Sequence, residues 1–227
     1  MKVYWQQENN IGDKLTPFIL KRMFNVDSEF SEERGKLLAI GSVLSHAEEG
    51  DYIWGSGLIS PKHLPKSRNL NILALRGPLT KEYLVKYGVK IDNSVVYGDP
   101  ALLLPMVYAP KRLEKVKEGI VPHYTDLDWA KDSFKDRVAT GEVRVIDPRL
   151  PIEQFVDELV SCEMIFSSSL HGLIIADAYN IPNRRVIFGN KLIGGDFKFN
   201  DYEESKKEID LEELIKVFKN YLSQQNG

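Results

Sequence analysis

Residues 164–178 read MIFSSSLHGLIIADA, and this stretch decides the fold. A short apolar run ends in three serines, and Leu170-His171-Gly172 then opens a second apolar run that fits a helix over 170–180. A buried strand that leads into a helix is typical of a parallel α/β sheet. The polar exit of that strand suits either a helix N-cap or an anion-binding catalytic site.

The composition is that of a soluble globular protein, with 43% hydrophobic and 28% charged residues in a chain of 227. A net charge of -3 offers no bulk attraction for nucleic acid or anionic membranes. Cys162 is the one cysteine, which excludes an internal disulfide, and the four histidines are scattered, so we expect no metal site. We find no signal peptide and no transmembrane segment. We therefore expect a cytoplasmic protein, with peripheral contact to the inner face of the plasma membrane through its acceptor.

Short apolar runs alternate with helical patterns along the whole chain, which predicts two Rossmann-like parallel-sheet halves. The charged, proline-broken segment 106–119 separates them, so we predict an N-terminal domain over 1–110 and a C-terminal domain over 111–227. The amphipathic helix predicted at 210–222 is expected to pack on its own sheet or back on the N-terminal domain. Predicted strands cover 36–43, 51–57, 71–77, 95–103, 119–124, 143–148, 164–169 and 184–189. Further helices are predicted at 13–24, 78–87, 127–137 and 151–161.

Ligands of such sheets bind outside the carboxyl ends of the strands, so the strand exits are the places to look for chemistry. The exits are polar and glycine-rich, and they carry Ser56, Arg76, Asp99, His123 and the run Ser167–Gly172. Each has a structural explanation as a turn, bulge or helix cap. Gathered at one cleft, the same groups suit a phosphorylated or carboxylated small molecule, because glycine backbone, helix N-termini and arginine all bind anions.

Two further segments are ambiguous on sequence alone. Asn10 and Gly12 suit a turn that approaches phosphate, and Asp13 is either an N-cap or a catalytic carboxylate. The segment 194–202, with Lys198, Asp201 and Tyr202, is either a glycine-hinged loop that closes over a site or a plain connection.

Seven blocks, in their order along the chain, resemble the polysaccharide pyruvyl transferases. They are NNIGDKLTPFIL (9–20), WGSGL (54–58), LALRGPLT (73–80), GDPALLLP (98–105), PHYTD (122–126), SSSLHGLIIADAYNIPN (167–183) and GGDFKFNDY (194–202). The resemblance runs from about residue 5 to residue 205. It implies a GT-B-like arrangement of the two halves with the active site in the interdomain cleft. It also implies transfer of the pyruvyl group of phosphoenolpyruvate to a sugar of a capsular or other surface polysaccharide precursor, which gives a cyclic ketal and phosphate.

The resemblance also assigns roles to residues. Leu170 and His171 match the pair that contacts the donor, and His171 is the best acid/base candidate because imidazole changes protonation state near neutral pH. Relatives often carry Arg directly before this pair, where this chain has Ser169. Arg76 therefore becomes the first choice for the anion clamp, with Lys198 and Lys191 as second choices. Asp13 is the second catalytic candidate.

The remaining candidates fall into two groups. The donor site is expected to include Ser168, Ser169 and Gly172. The acceptor-binding or supporting group comprises Asn10, Gly12, Ser56, Asp99, His123, Asp201 and Tyr202. No tightly bound cofactor is expected, since phosphoenolpyruvate is the donor substrate, and the other partner is a sugar or lipid-linked oligosaccharide.

Two other functions compete with this one. A nucleotide-sugar glycosyltransferase on the same fold is disfavoured, because the stretch after Gly172 runs apolar to Asp177 and lacks an acidic residue placed for ribose. A noncatalytic glycan- or phosphate-binding module is favoured only by Ser169 in place of arginine.

Overall fold

The computed structural model describes residues 1–188 and 195–225. The chain folds into two compact units, each assembled from separate stretches of sequence. The first comprises Met1–Gln6, Thr16–Pro100 and Ile193–Gly227, and the second comprises Gln7–Leu15 and Ala101–Leu192. The domain boundary after residue 110 stays a prediction. None of the helices in the described ranges is long and apolar enough to cross a membrane.

The first unit is built on a six-stranded sheet, and every strand pair in it is parallel. Its strands are β1 (Lys2–Tyr4), β2 (Glu29–Phe30), β3 (Leu37–Leu38), β4 (Tyr52–Trp54), β5 (Asn71–Leu75) and β6 (Val96–Tyr97). They lie in the order β2-β1-β3-β4-β5-β6. The helices of this unit are α2 (Pro78–Tyr87), α8 (Phe197–Ser205), α9 (Leu211–Gln225) and most of α1 (Ile11–Phe24).

Helix α9 packs on this sheet through aromatic rings. The ring of Phe218 stacks on Trp54 with centroids 4.1 Å apart, and both side chains are buried. The indole N–H of Trp54 donates to the carbonyl of Leu214 at 2.9 Å, so its one polar atom is satisfied. Asp210 caps the helix, because its Oδ1 accepts from the N–H groups of Glu212 and Glu213.

The second unit is built on a four-stranded sheet that is also parallel throughout. Its strands are β7 (Val116–Val121), β8 (Val143–Val145), β9 (Cys162–Ser167) and β10 (Asn183–Arg185), in the order β10-β9-β7-β8. Its helices are α3 (Leu104–Val107), α4 (Leu127–Ser133), α5 (Lys135–Ala139), α6 (Ile152–Val160) and α7 (Leu170–Ala178). The α/β class with two parallel sheets is thus confirmed.

Some predicted elements differ from the structure. The strand predicted over 95–103 is wrong beyond Tyr97, because Gly98 adopts a φ of 144° and Pro100–Leu103 form a 3-10 turn. The helix predicted over 127–137 is broken at Phe134 into α4 and α5. The loop predicted over 194–202 is wrong from Phe197 onward, since α8 begins there and buries Phe199 and Tyr202. The sequence did not predict β1 and β2.

Candidate active site

The exits of β7 and β9 are joined by serine hydroxyls. The hydroxyl of Ser167 donates to the carbonyl of Val121 at 3.0 Å and accepts from the N–H of Ser169 at 3.0 Å. The hydroxyl of Ser168 accepts from the N–H of His123 at 2.8 Å. Ser167 and Ser168 are fully buried, whereas Ser169 is half-buried at the start of α7 without capping it through its side chain. Ser167 and Ser168 therefore shape this edge of the sheet, and Ser169 is the serine of the three that retains exposure.

Glycine at residue 172 lets α7 approach β9 closely. A Cβ at this position would lie 2.4 Å from the Ser167 hydroxyl oxygen and 2.8 Å from a methyl carbon of Val121. Real Cβ atoms do not tolerate such distances, so any larger residue would push the helix away from the strand exits. Gly172, predicted as a donor-site residue, holds the start of α7 and with it His171.

The first turn of α1 belongs to the second unit and places a carboxylate near His171. The side chain of Asn10 organises this turn: its Oδ1 accepts from the N–H of Gly12 at 3.0 Å, and its Nδ2 donates to Asp13 Oδ2 at 2.5 Å. Gly12 lies against the imidazole, because a Cβ at residue 12 would lie 2.2 Å from His171 Nδ1. The structure thus brings together four residues predicted for the site, namely Asn10, Gly12, Asp13 and His171.

The pKa of the Asp13 carboxyl is raised toward neutral pH. Burial disfavours its charged form and is the largest influence, and it raises the pKa of Asp13 to about 6. The Asn10 backbone and the charge of His171 oppose this rise, whereas the negative charge of Glu8 adds to it. A carboxyl with such a pKa can accept or donate a proton under physiological conditions.

Glu8 and Tyr124 complete this cluster, and neither was predicted as a site residue. The phenol of Tyr124 donates to Glu8 Oε2 at 2.7 Å, and this bond raises the pKa of Tyr124 to about 12. The ring of Tyr124 packs on the imidazole of His123, with centroids 4.5 Å apart. His123 Nδ1 lies 2.8 Å from the hydroxyl of Thr125. The motif PHYTD was the available signal for Tyr124, whereas no sequence motif marks Glu8.

Arg76 has a different environment from the one expected of an anion clamp. It is fully buried in the first unit, where Nε donates to Asp201 Oδ2 at 2.9 Å and Nη2 lies 2.8 Å from the same oxygen. Its Nη1 donates to the hydroxyl of Ser42 and its Nη2 to the carbonyl of Leu58, both at 2.6 Å. A buried guanidinium with these partners has few N–H groups left to bind a substrate, which argues against the role predicted for Arg76.

Asp201 is equally engaged, which argues against direct contact with an acceptor. Its Oδ1 accepts from the N–H of Thr80 and its Oδ2 from the Thr80 hydroxyl, both at 2.7 Å. Gly77 leaves room for this contact, since a Cβ there would lie 1.9 Å from the Asp201 carbonyl oxygen. Through these bonds, Arg76 and Asp201 connect α8 to the segments that follow β3, β4 and β5. They also connect α8 to the first turn of α2.

The other predicted residues are spread over the two units. Ser56 is buried and donates to the Gly41 carbonyl at 2.8 Å. Asp99 is buried as well. Leu170 is buried at the start of α7, and Tyr202 is buried in α8. Lys198 lies over the ring of Phe199 at 5.4 Å. Lys191 and Gly194 lie outside the described residues.

Comparison with known proteins places the chain beside one protein family and two curated relatives. The family model for polysaccharide pyruvyl transferase matches residues 62–187, which include the His123 and His171 motifs. An uncharacterized protein of Acanthamoeba polyphaga mimivirus is 29% identical over 88% of this chain and 71% of its own length. The succinoglycan biosynthesis protein ExoV of Rhizobium meliloti (strain 1021) is 26% identical over 89% of this chain and 63% of its own length. No solved structure matches the chain significantly.

Proposed function

Because the chain belongs to the polysaccharide pyruvyl transferase family and is therefore a transferase, we propose that it moves the pyruvyl group of phosphoenolpyruvate onto a sugar. The product is a cyclic pyruvate ketal on a surface or capsular polysaccharide precursor. The observation that carries the proposal is the closeness of the His171 imidazole to Gly12, together with the electrostatic influence of His171 on Asp13. The similarity to ExoV, named for succinoglycan biosynthesis, supports an exopolysaccharide as the acceptor.

The reaction needs two proton carriers at one place. A proton is added to the methylene carbon of phosphoenolpyruvate, which leaves C2 cation-like. One sugar hydroxyl attacks C2, a second hydroxyl of the same sugar closes the ring, and the C2–O bond to phosphate breaks. Two hydroxyl protons are released. One replaces the proton that was added to the methylene carbon, and the other leaves with phosphate. A histidine and a carboxyl group are side chains that can carry protons in this exchange.

We assign these roles to His171 and Asp13. His171 lies at the start of α7, where main-chain N–H groups without helical partners favour the anionic donor. In its imidazolium form it supplies the proton for the methylene carbon. Asp13, with its pKa of about 6, is largely a carboxylate at pH 7 and accepts the proton of the attacking hydroxyl.

The donor anions are proposed to lie at the first turn of α7, against Ser169. Ser167 and Ser168 stabilise the strand exits next to this turn and do not contact the donor, because both are buried and already hydrogen bonded. Arg76 has no part in this proposal. The GT-B-like arrangement with an interdomain site stays a prediction of the family resemblance, and so does work in the cytoplasm at the inner face of the membrane.

The test is an acceptor screen with phosphoenolpyruvate. Phosphate release and the mass of the sugar product are measured together for the wild type and for His171→Ala. Equal amounts of phosphate and ketal, both lost in the variant, are expected. Turnover that requires a nucleotide sugar would support a glycosyltransferase instead, and sugar binding without any turnover would support a noncatalytic module.

A further inference from the structure

A cavity lies beside β8 in the second unit. Its volume is about 540 Å³, within the range of about 300–1,000 Å³ that is usual for ligand pockets. Its walls come from α4, α5, β8 and the start of β7. Strand β8 ends the sheet order, with β7 as its paired neighbour, and Val143, Arg144 and Val145 of β8 line the cavity.

This cavity is separate from the candidate active site. Lys115 and Val116 line it at the amino end of β7, whereas Val121 at the carboxyl end of the same strand accepts the hydrogen bond from Ser167. Val145, which pairs with Ile120, lines the cavity as well, so the separation rests on its lining, which shares no residue with the His171 cluster. A ligand in the cavity would not occupy the site of His171.

The lining of the cavity is strongly cationic. Lys115, Lys131, Lys135 and Arg144 face it, against the single carboxylate of Glu114. This balance is notable in a chain whose net charge is -3. Within the described residues, no carboxylate forms an ion pair with Lys115, Lys131 or Arg144, and Lys135 has only a long contact of 3.6 Å to Asp132. The positive charge is therefore available to an anion.

Two of the cations are held in place by neutral groups. Arg144 donates through Nη1 to the hydroxyl of Ser161 and through Nη2 to the carbonyl of Glu114. Lys115 donates to the carbonyl of Val160 at 2.9 Å. Because the partners are neutral, the bonds orient both side chains without cancelling their charge. The remaining N–H groups of the guanidinium are suited to a planar carboxylate.

We propose that this cavity binds the carboxylate-bearing part of a glycan chain that has already been pyruvylated. The inference rests on the proposed function, since each transfer leaves one carboxylate on the polymer. A second site for earlier ketals would hold a growing chain while its next sugar reaches His171. Lysine and arginine at an open groove favour an anionic polymer over a neutral one through long-range attraction.

Direct binding tests this proposal without any turnover. A pyruvylated oligosaccharide and the same oligosaccharide freed of its ketal by mild acid are titrated into the protein, with no phosphoenolpyruvate present. We expect the ketal form to bind at least about tenfold more tightly at low salt, and the difference to shrink as salt screens the charges. Lys131→Glu combined with Lys135→Glu should abolish the preference.

The matched control reverses two exposed lysines of α9, Lys216→Glu and Lys219→Glu, and should retain the preference. Equal affinity of the wild type for both oligosaccharides would overturn the proposal. So would equal loss in the control variant, or displacement by inorganic phosphate at the same concentration as the ketal. The ketal ligand is supplied ready-made, so the binding result does not depend on turnover. Failure of pyruvyl transfer in the activity screen would therefore not change its interpretation.

Discussion

Gly12 lies against the imidazole of His171, so close that a Cβ on residue 12 would be 2.2 Å from Nδ1 and 2.6 Å from Cε1. The contact joins the first turn of α1 to the first turn of α7. It fixes where the imidazole can lie relative to Asp13, which follows Gly12 directly in the helix. The two proposed proton carriers are thus placed by a residue that has no side chain of its own.

Gly12→Ala should lower kcat/KM by about 100-fold, because displacement of a catalytic group by about 1 Å costs that much. Steady-state kinetics with phosphoenolpyruvate measures the loss, and thermal unfolding shows whether the fold is kept. In the His171→Ala background the same Gly12→Ala change should cost almost nothing further, since the clashing ring is gone. Independent, multiplying losses in the double variant would contradict the contact as the cause.

The pH profile of kcat/KM should rise through a pKa of about 6 if Asp13 acts as the base, because only its carboxylate accepts a proton. Asp13→Asn should remove this acid limb together with most of the activity. Glu8→Gln should move the limb to lower pH, since the negative charge of Glu8 raises the pKa of Asp13. An acid limb that keeps its position in Glu8→Gln would contradict this electrostatic coupling.

Asp13 should also make folding stability fall as pH rises from about 4 to about 6. Its folded-state pKa is raised, so between these values the folded protein holds a proton that the unfolded chain has released. Asp13→Asn should therefore stabilise the protein at pH 7 by about 1–2 kcal/mol, after allowance for partial solvent screening. Urea unfolding at pH 4 and pH 7 measures this, and the gain should be much smaller at pH 4. An equal gain at both values would point to packing instead.

The sequence carried enough information for the α/β class but not for every strand. Apolar runs such as those ending at Leu75 and Ser167 stand out, because buried parallel strands are continuously apolar. Lys2–Tyr4 and Glu29–Phe30 are too short to show a periodic pattern of apolar residues. The segment 95–103 is apolar enough for a strand, yet the backbone of Gly98 and the missing N–H of Pro100 end it.

The sequence predicted the members of the site better than their roles. Asp13 and His171 were both named as catalytic candidates, but the contact of Gly12 with His171 that brings them near each other is a tertiary contact between distant segments. Arg76 was chosen for its charge, its place at a strand exit and its place in the RGPLT block. The sequence could not show that Asp201, far along the chain, would neutralise it, because a buried ion pair depends on the packing of α8 against α2.

Arg76→Ala should destabilise the protein by about 3–5 kcal/mol, because it leaves the carboxylate of Asp201 buried without its partner. Chemical denaturation measures the loss, and Arg76→Lys should lose less because it keeps the charge but not the fork of donors. Lys86→Ala, which breaks an exposed ion pair with Glu82, serves as the control and should cost far less stability than Arg76→Ala. A fully stable Arg76→Ala with a raised KM for phosphoenolpyruvate would restore Arg76 as the donor clamp.

The most direct test of the central claim is the mass of the sugar acceptor after reaction with phosphoenolpyruvate in heavy water. The protonation step predicts a ketal whose methyl group carries one deuterium from solvent, formed by the wild type and absent with His171→Ala. A ketal formed at the wild-type rate by His171→Ala, or no pyruvylated product from any acceptor, would contradict the account.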